Sequence, residues 1–246
     1  SPLREEETAT LLAAVLEQSV LPAETQAALL ERAGGNPLYA EQFARLYRET
    51  GAVPQLPEGV QGIVAARLDA LSREEKTLLQ DAAVHGKVFW AGAVAATADG
   101  GDGDVTGLLH GLERKEFVRR ERQSAVGGET EFAFRHILVR DVAYAQIPRA
   151  ERARKHEAAA RWIESLGRPD DHAELVAHHY ATALELARAA GADTGALAER
   201  ARHALREAGD RSLALGGFGP AAEHYAGALA LWPADDPDRG LVLLGL

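Results

Sequence analysis

Asp102, Asp104, Thr106, Gly107 and Glu113 fall at positions 1, 3, 5, 6 and 12 of a calcium-binding loop, which needs oxygen ligands around a turning glycine. The fit is incomplete. Position 5 is Thr, no second loop pairs with this one, and Leu108 to Leu112 are required for a helix face. An aspartate capping that helix accounts for the same residues. His178 and His179 are adjacent, so they project from different helix faces and cannot share a metal ion. No metal is therefore expected. Gly86-Lys87-Val88 has the glycine and lysine of a phosphate-cradling loop, but lacks the upstream glycine and the Ser/Thr that hold phosphate and metal. Without cysteine, thiolate and disulfide chemistry are excluded. No nucleophile–base motif is present, and catalysis is not expected. His156 and His179 lie on or beside apolar faces and are expected to be structural.

One histidine has a more pointed setting. In FAFRHILVRDVAYAQIP, Phe132 to Arg135 alternate as on a half-buried strand, with the phenylalanines on one side and Ala133 and Arg135 on the other. From Ile137 the apolar residues Leu138, Val139, Val142, Ala143 and Ile147 recur at helical spacing, and Pro148 ends the run. His136 stands at the joint.

The elements that position this joint are legible on either side. At 246 residues, 46% hydrophobic and charge −10, the chain is globular, with room for one large or two to three small cored units. No apolar run of about 18 residues and no signal-peptide pattern occurs, so membrane insertion and secretion are not expected, and a cytoplasmic location is. Three helices are expected before residue 51, the second stopping at Gly34-Gly35 and the third opening at Gly35-Asn36-Pro37-Leu38. Gly51 to Gly59, with Pro54 and Pro57, is a linker. Val60 to Leu71 forms a short helix, and Ser72 with Glu75 makes a capping box for the next. A further helix follows Phe89-Trp90, and Val105, Leu108, Leu109 and Leu112 share a face of another. Phe117 to Arg122 and Glu131 to Phe134 then form a hairpin turning at Gly127-Gly128. Helices followed by a two-stranded wing are the winged form of the helix-turn-helix.

After Pro148 the pattern is helical throughout. Ala221, Tyr225, Ala228 and Pro233 have the spacing of the second helix of a tetratricopeptide repeat (TPR), and Leu205, Gly209, Gly216 and Phe218 fit its first helix and turn. Ser212 replaces the usual Tyr. The repeat spans about residues 202–235, and Leu241, Leu244 and Gly245 begin another. A single repeat cannot bury its own faces. The chain lacks Met, opens at Ser1 and stops within a helical pattern, as expected of a piece of a longer protein.

GNPL after a helix pair, then a winged helix, FRHILVRD and a helical repeat array together resemble the regulatory half of STAND-class signalling ATPases. These include bacterial regulators fused to cyclase or DNA-binding domains. The resemblance implies a mainly α fold: a helical lid (residues 1–58), a winged-helix domain with one β-hairpin wing (59–148), and an antiparallel TPR-like array (149–246). In that family the proline of a GLPL-type motif packs near the adenine, which matches Pro37. The histidine of an MHD motif contacts the β-phosphate of ADP, which matches His136. Arg135 and Ile137 depart from that motif on either side of the histidine.

The P-loop and the Mg²⁺-binding carboxylates are absent. ATP, ADP and Mg²⁺ are thus implied for the parent protein, with none in this chain, and the missing nucleotide domain is the implied partner of Pro37 and His136. A protein or peptide is expected on the TPR surface, packed around Gly209, Ala221, Tyr225, Ala228 and Pro233. Two other readings stand beside this one. In the first the winged helix binds DNA through Arg114, Lys115, Arg119, Arg120 and Arg122, with Arg149, Arg152, Arg154 and Lys155 as a second basic group. Glu113, Glu116 and Glu121 interrupt the first group and the chain is acidic, so a solvated mixed-charge surface is preferred. The other reading is a plain TPR adaptor.

Overall fold

The computed structural model describes residues 3–16, 23–50, 60–98, 104–167, 169–237 and 239–245. Pro22, the linker prolines Pro54 and Pro57, Asp102, and the side chains of Leu241 and Leu244 lie outside the described residues. The fold is mainly helical with one small antiparallel sheet. The elements are α1 (Glu5–Leu16), α2 (Ala23–Ala33), α3 (Pro37–Thr50), α4 (Val60–Asp69), α5 (Arg73–His85), β1 (Val88–Trp90), α6 (Ala91–Thr97), α7 (Val105–Arg114), β2 (Val118–Arg120), β3 (Glu131–Phe134), α8 (Ile137–Ala145), α9 (Arg149–Ser165), α10 (Pro169–Ala189), α11 (Gly195–Ala214), α12 (Phe218–Leu231) and α13 (Arg239–Leu244).

The first three helices bury Leu12, Leu29, Phe43 and Leu46 against Ile63 of α4. Helix α2 ends where Gly34 and Gly35 take positive φ, a conformation that only glycine adopts at no steric cost. Asn36 then caps α3: its side-chain oxygen accepts from the Leu38 N–H at 3.0 Å. Pro37 occupies the first helical position, where its missing donor is harmless.

The second core is built from α4–α8 and the sheet, around Leu79, Phe89, Leu112, Phe117, Phe132 and Phe134. The expected capping box is formed in full, with Ser72 Oγ accepting from Glu75 N and Glu75 Oε2 accepting from Ser72 N. The sheet corrects the expectation of a lone two-stranded wing. Its order is β1-β3-β2, because Val88, Phe89 and Trp90 pair with Ala133, Phe132 and Glu131. β3 is therefore the central strand and is covered on both sides. Ala133 is as buried as Phe132 and Phe134, and only Arg135 escapes to solvent.

From α9 onward each helix packs on the next. Ile163, Ala177, Tyr180, Leu184 and Ala201 fill the space between α9, α10 and α11. The α11–α12 pair approaches closely at Gly209, where a β-carbon would stand 2.7 Å from the Tyr225 ring. Tyr225 OH in turn donates to Asp210 at 2.7 Å. Among the described residues no helix is long and apolar enough to cross a membrane.

Candidate functional site

His136 has extended backbone dihedrals (φ −131°, ψ 136°) and is the residue from which α8 starts, as the change of period predicts. Its ring is not idle. Nε2 lies 3.2 Å from Oε1 of Glu41, 95 positions earlier in the chain. Glu41 follows Pro37 by four residues on α3, so the two stand one above the other on the same helix face. The fold thus brings His136 to the residue that stands one helical turn after Pro37. Pro37 itself is exposed and His136 partly so.

Glu41 also accepts from Arg45 on the next turn of α3. Arg45 is nearly buried and reaches on to Glu116, whose carboxylate additionally takes Arg48 at 2.8 Å and lies 3.9 Å from Arg135. The hydrogen bond from His136, reinforced by Arg45 against the cost of burial, holds the Glu41 carboxyl down at about 2. Burial lowers the affinity of Arg45 for its proton, and Glu41 opposes that shift. Glu116 is placed by a left-handed backbone (φ 61°), rare for a residue with a side chain, immediately before Phe117. One step deeper, the fully buried Arg67 joins α3 and α4 to the end of α7. It bonds Glu49 at 2.7 Å, Gln42 and the Lys115 carbonyl, and its guanidinium lies over the Phe117 ring.

The network is a chain of exchangeable ion pairs between α3 and the strand-to-helix joint. Its arginines Arg45, Arg48 and Arg135 and the His136 ring alternate with Glu41 and Glu116. It contains no nucleophile with a base beside it. Sequence reasoning missed Glu41, Arg45 and Arg48. The only available signal was their i, i+4 and i+7 spacing on the helix that GNPL opens.

The remaining candidates are placed as follows. Asp104 Oδ1 accepts from Gly107 N at 2.7 Å, so this carboxylate caps α7, as a cap-forming aspartate should. Among the described residues, no three His, Asp or Glu side chains converge as a metal cage requires. Of the basic wing residues, Lys115 is bonded to Glu75 and Arg119 to Glu121. Glu113 accepts from the backbone of Arg120, while Arg114 and Arg122 are exposed. Acids are thus interleaved with Lys115, Arg119 and Arg120 on that surface. His156 and His179 are buried against each other. In the array, Ala221, Tyr225 and Ala228 are buried together, and Pro233 follows the end of α12.

No protein-family model matches the sequence. No curated protein matches it either. Among solved structures it is similar to the crystal structure of a signal transduction ATPase with numerous domains (STAND) carrying a tetratricopeptide repeat sensor, from Pyrococcus horikoshii. The identity is 17% and the TM-score 0.47, over 96% of this chain and 36% of that one. The present chain therefore spans about a third of that protein's length.

Proposed function

We propose that the chain is a non-catalytic regulatory and protein-interaction unit of a STAND-type, nucleotide-switched regulator. Residues 1–58 form the lid, residues 59–148 a winged helix, and residues 149–246 the start of a TPR-like sensor array. The observation that carries this reading is the Glu41–His136 hydrogen bond. It ties the helix opened by GNPL to the joint of FRHILVRD, the two motifs on which the resemblance rests. ATP or ADP, with Mg²⁺, belongs to the nucleotide domain of the parent protein. Pro37 and His136 face that domain, and the array takes a protein or peptide.

In this account Glu41 keeps His136 and Arg45 occupied while no phosphate is near. A nucleotide phosphate presented by the missing domain takes the same donors, and the lid and the joint then move together. The chain by itself is inert. Purified chain should show no ATP turnover above buffer. Turnover that survives a second chromatographic step and scales with protein concentration would overturn the proposal. The sequence preceding Ser1 is an independent check, because a strand followed by GxxxxGK[ST] is required there.

A further inference from the structure

Four histidines meet where α5 and α8 pack against α9 and α10, and the proposed function does not use them. His156 Nδ1 on α9 lies 2.9 Å from His179 Nδ1 on α10, and His156 Nε2 lies 2.8 Å from the Tyr144 hydroxyl on α8. The other ring nitrogen of His179, Nε2, is buried and no hydrogen-bond partner reaches it. His85 on α5 stands with its ring centroid 5.9 Å from that of His179, and bonds Thr97. His178 is exposed at the edge, 5.4 Å from His179 between ring centroids. It also lines an open cavity of about 540 Å³ beside α10, so protons have a short way in.

The geometry limits how many protons the cluster can hold. The contact between the two Nδ1 atoms takes one proton, donated by one ring and accepted by the other. A second would set two N–H groups face to face. With both rings neutral, the outer nitrogen of His156 exchanges a hydrogen bond with Tyr144, and that of His179 is left alone whichever tautomer is adopted. A further proton creates a buried imidazolium at a contact whose partners are a second imidazole and a phenol.

The charged groups facing the cluster reinforce this. Arg140 on α8 and Arg152 on α9 are both repulsive to an imidazolium. Asp81, one turn before His85 on α5, is bonded at 2.6 Å to the buried Lys155 of α9. Glu185 on α10 acts on Tyr144. Burial pushes His85 down to about 4, His156 to about 3 and His179 to about 2.

We infer that this junction is a proton-operated joint: acidification opens the packing of α9 and α10 against α5 and α8 by protonating histidines that the closed packing keeps neutral. The sign follows from linkage. Groups that bind protons more weakly when closed stabilise the closed form above their ordinary value of about 6.5, and lose that contribution as pH falls below it. Trp90 and Trp162 stack across the same junction at 5.8 Å, so its opening separates the sheet from the array. The consequence is that the array's hold on the sheet-bearing unit depends on pH.

The test is hydrogen exchange of the intact chain at pH 7.5 and 5.5, corrected for the intrinsic pH dependence of amide exchange. Each histidine that is freed to protonate raises the opening equilibrium about tenfold between these values, for an open-state value near 6.5. Opening of residues 176–184 should therefore rise by about a hundredfold or more, with the α3 segment changing less than about threefold. His179→Gln and His156→Gln should each remove about a factor of ten from that pH response. A response within threefold, or one that survives both substitutions, would overturn the inference. Should either variant fail to fold, ring-proton NMR of the wild-type chain decides. Signals of His156 and His179 that stay neutral until they vanish together support the joint. Ordinary independent titration near 6.5 in the folded chain overturns it.

Discussion

Glu41 on α3 and His136 at the start of α8 are hydrogen-bonded at 3.2 Å, and this pair links α3 to the strand-to-helix joint. Both side chains are partly exposed, so the contact can be exchanged without unfolding either helix. Its first consequence is a pH dependence. The Glu41 carboxyl is held well below its usual 4.5, down to about 2. The stability it supplies is present in full above 4.5 and is lost as pH falls from there toward 2. Glu41→Gln should flatten the acid limb of a stability-versus-pH curve in that window. Thermal melts at half-unit steps would show it, and parallel curves for the two proteins would mean that the pair carries no linkage.

A second pair lies deeper. Lys155 and Asp81 are almost wholly buried and bonded at 2.6 Å, joining α9 to α5. Asp81→Ala leaves the buried Lys155 ammonium with Glu151 at 3.5 Å but without its closest carboxylate, and should cost about 3–5 kcal/mol. Replacing both residues with apolar ones of similar size should cost much less than either single change, because the desolvation of both ions disappears with them. Urea titrations of the two single variants and the double variant test this. Additive losses would contradict it.

At Gly209 the packing of α11 on α12 leaves no room for a methyl group beside Tyr225. Gly209→Ala would gain about 1 kcal/mol in helix propensity if the site were open. Overpacking against the ring should outweigh that and give a net loss of about 1–2 kcal/mol. A stabilised variant would mean that the two helices are not closely approached at this point.

The basic surface from the end of α7 to β2 should not bind DNA at physiological salt. Lys115 and Arg119 are engaged by Glu75 and Glu121, and Glu113 lies beside Arg120. Fluorescence anisotropy with a labelled duplex should show weak binding at low salt that is abolished near 150 mM. Submicromolar affinity persisting at that salt would revive the DNA-binding reading.

What could be foreseen in the sequence was local. The Ser72–Glu75 box, the Asp104 cap, the Gly34-Gly35 stop and the start of α8 after His136 each depend on residues within a few positions of one another. β1 could not be foreseen, since three residues declare themselves as a strand only by pairing with β3, some forty positions away. For the same reason His136 looked like a strand-end histidine whose partner lay in another domain. Its contact within the chain, Glu41, is 95 positions off and sits among ordinary solvent-facing acids in the pattern of α3. The buried histidines were correctly placed on apolar faces. Their contact with each other depends on how α9 meets α10, which helical periodicity does not specify.

The most direct test of the regulatory account is the rate at which ADP leaves the full-length parent protein, measured for wild type and His136→Ala. A charge-assisted hydrogen bond from His136 to the β-phosphate is worth about 1.5–3 kcal/mol, so its loss should speed release roughly tenfold to a hundredfold. In the isolated chain the same substitution removes only the partly exposed bond to Glu41, and the melting temperature should fall by no more than about 4 °C. An unchanged ADP off-rate, together with a melting temperature lowered by more than about 8 °C, would contradict the account and make His136 a structural residue alone.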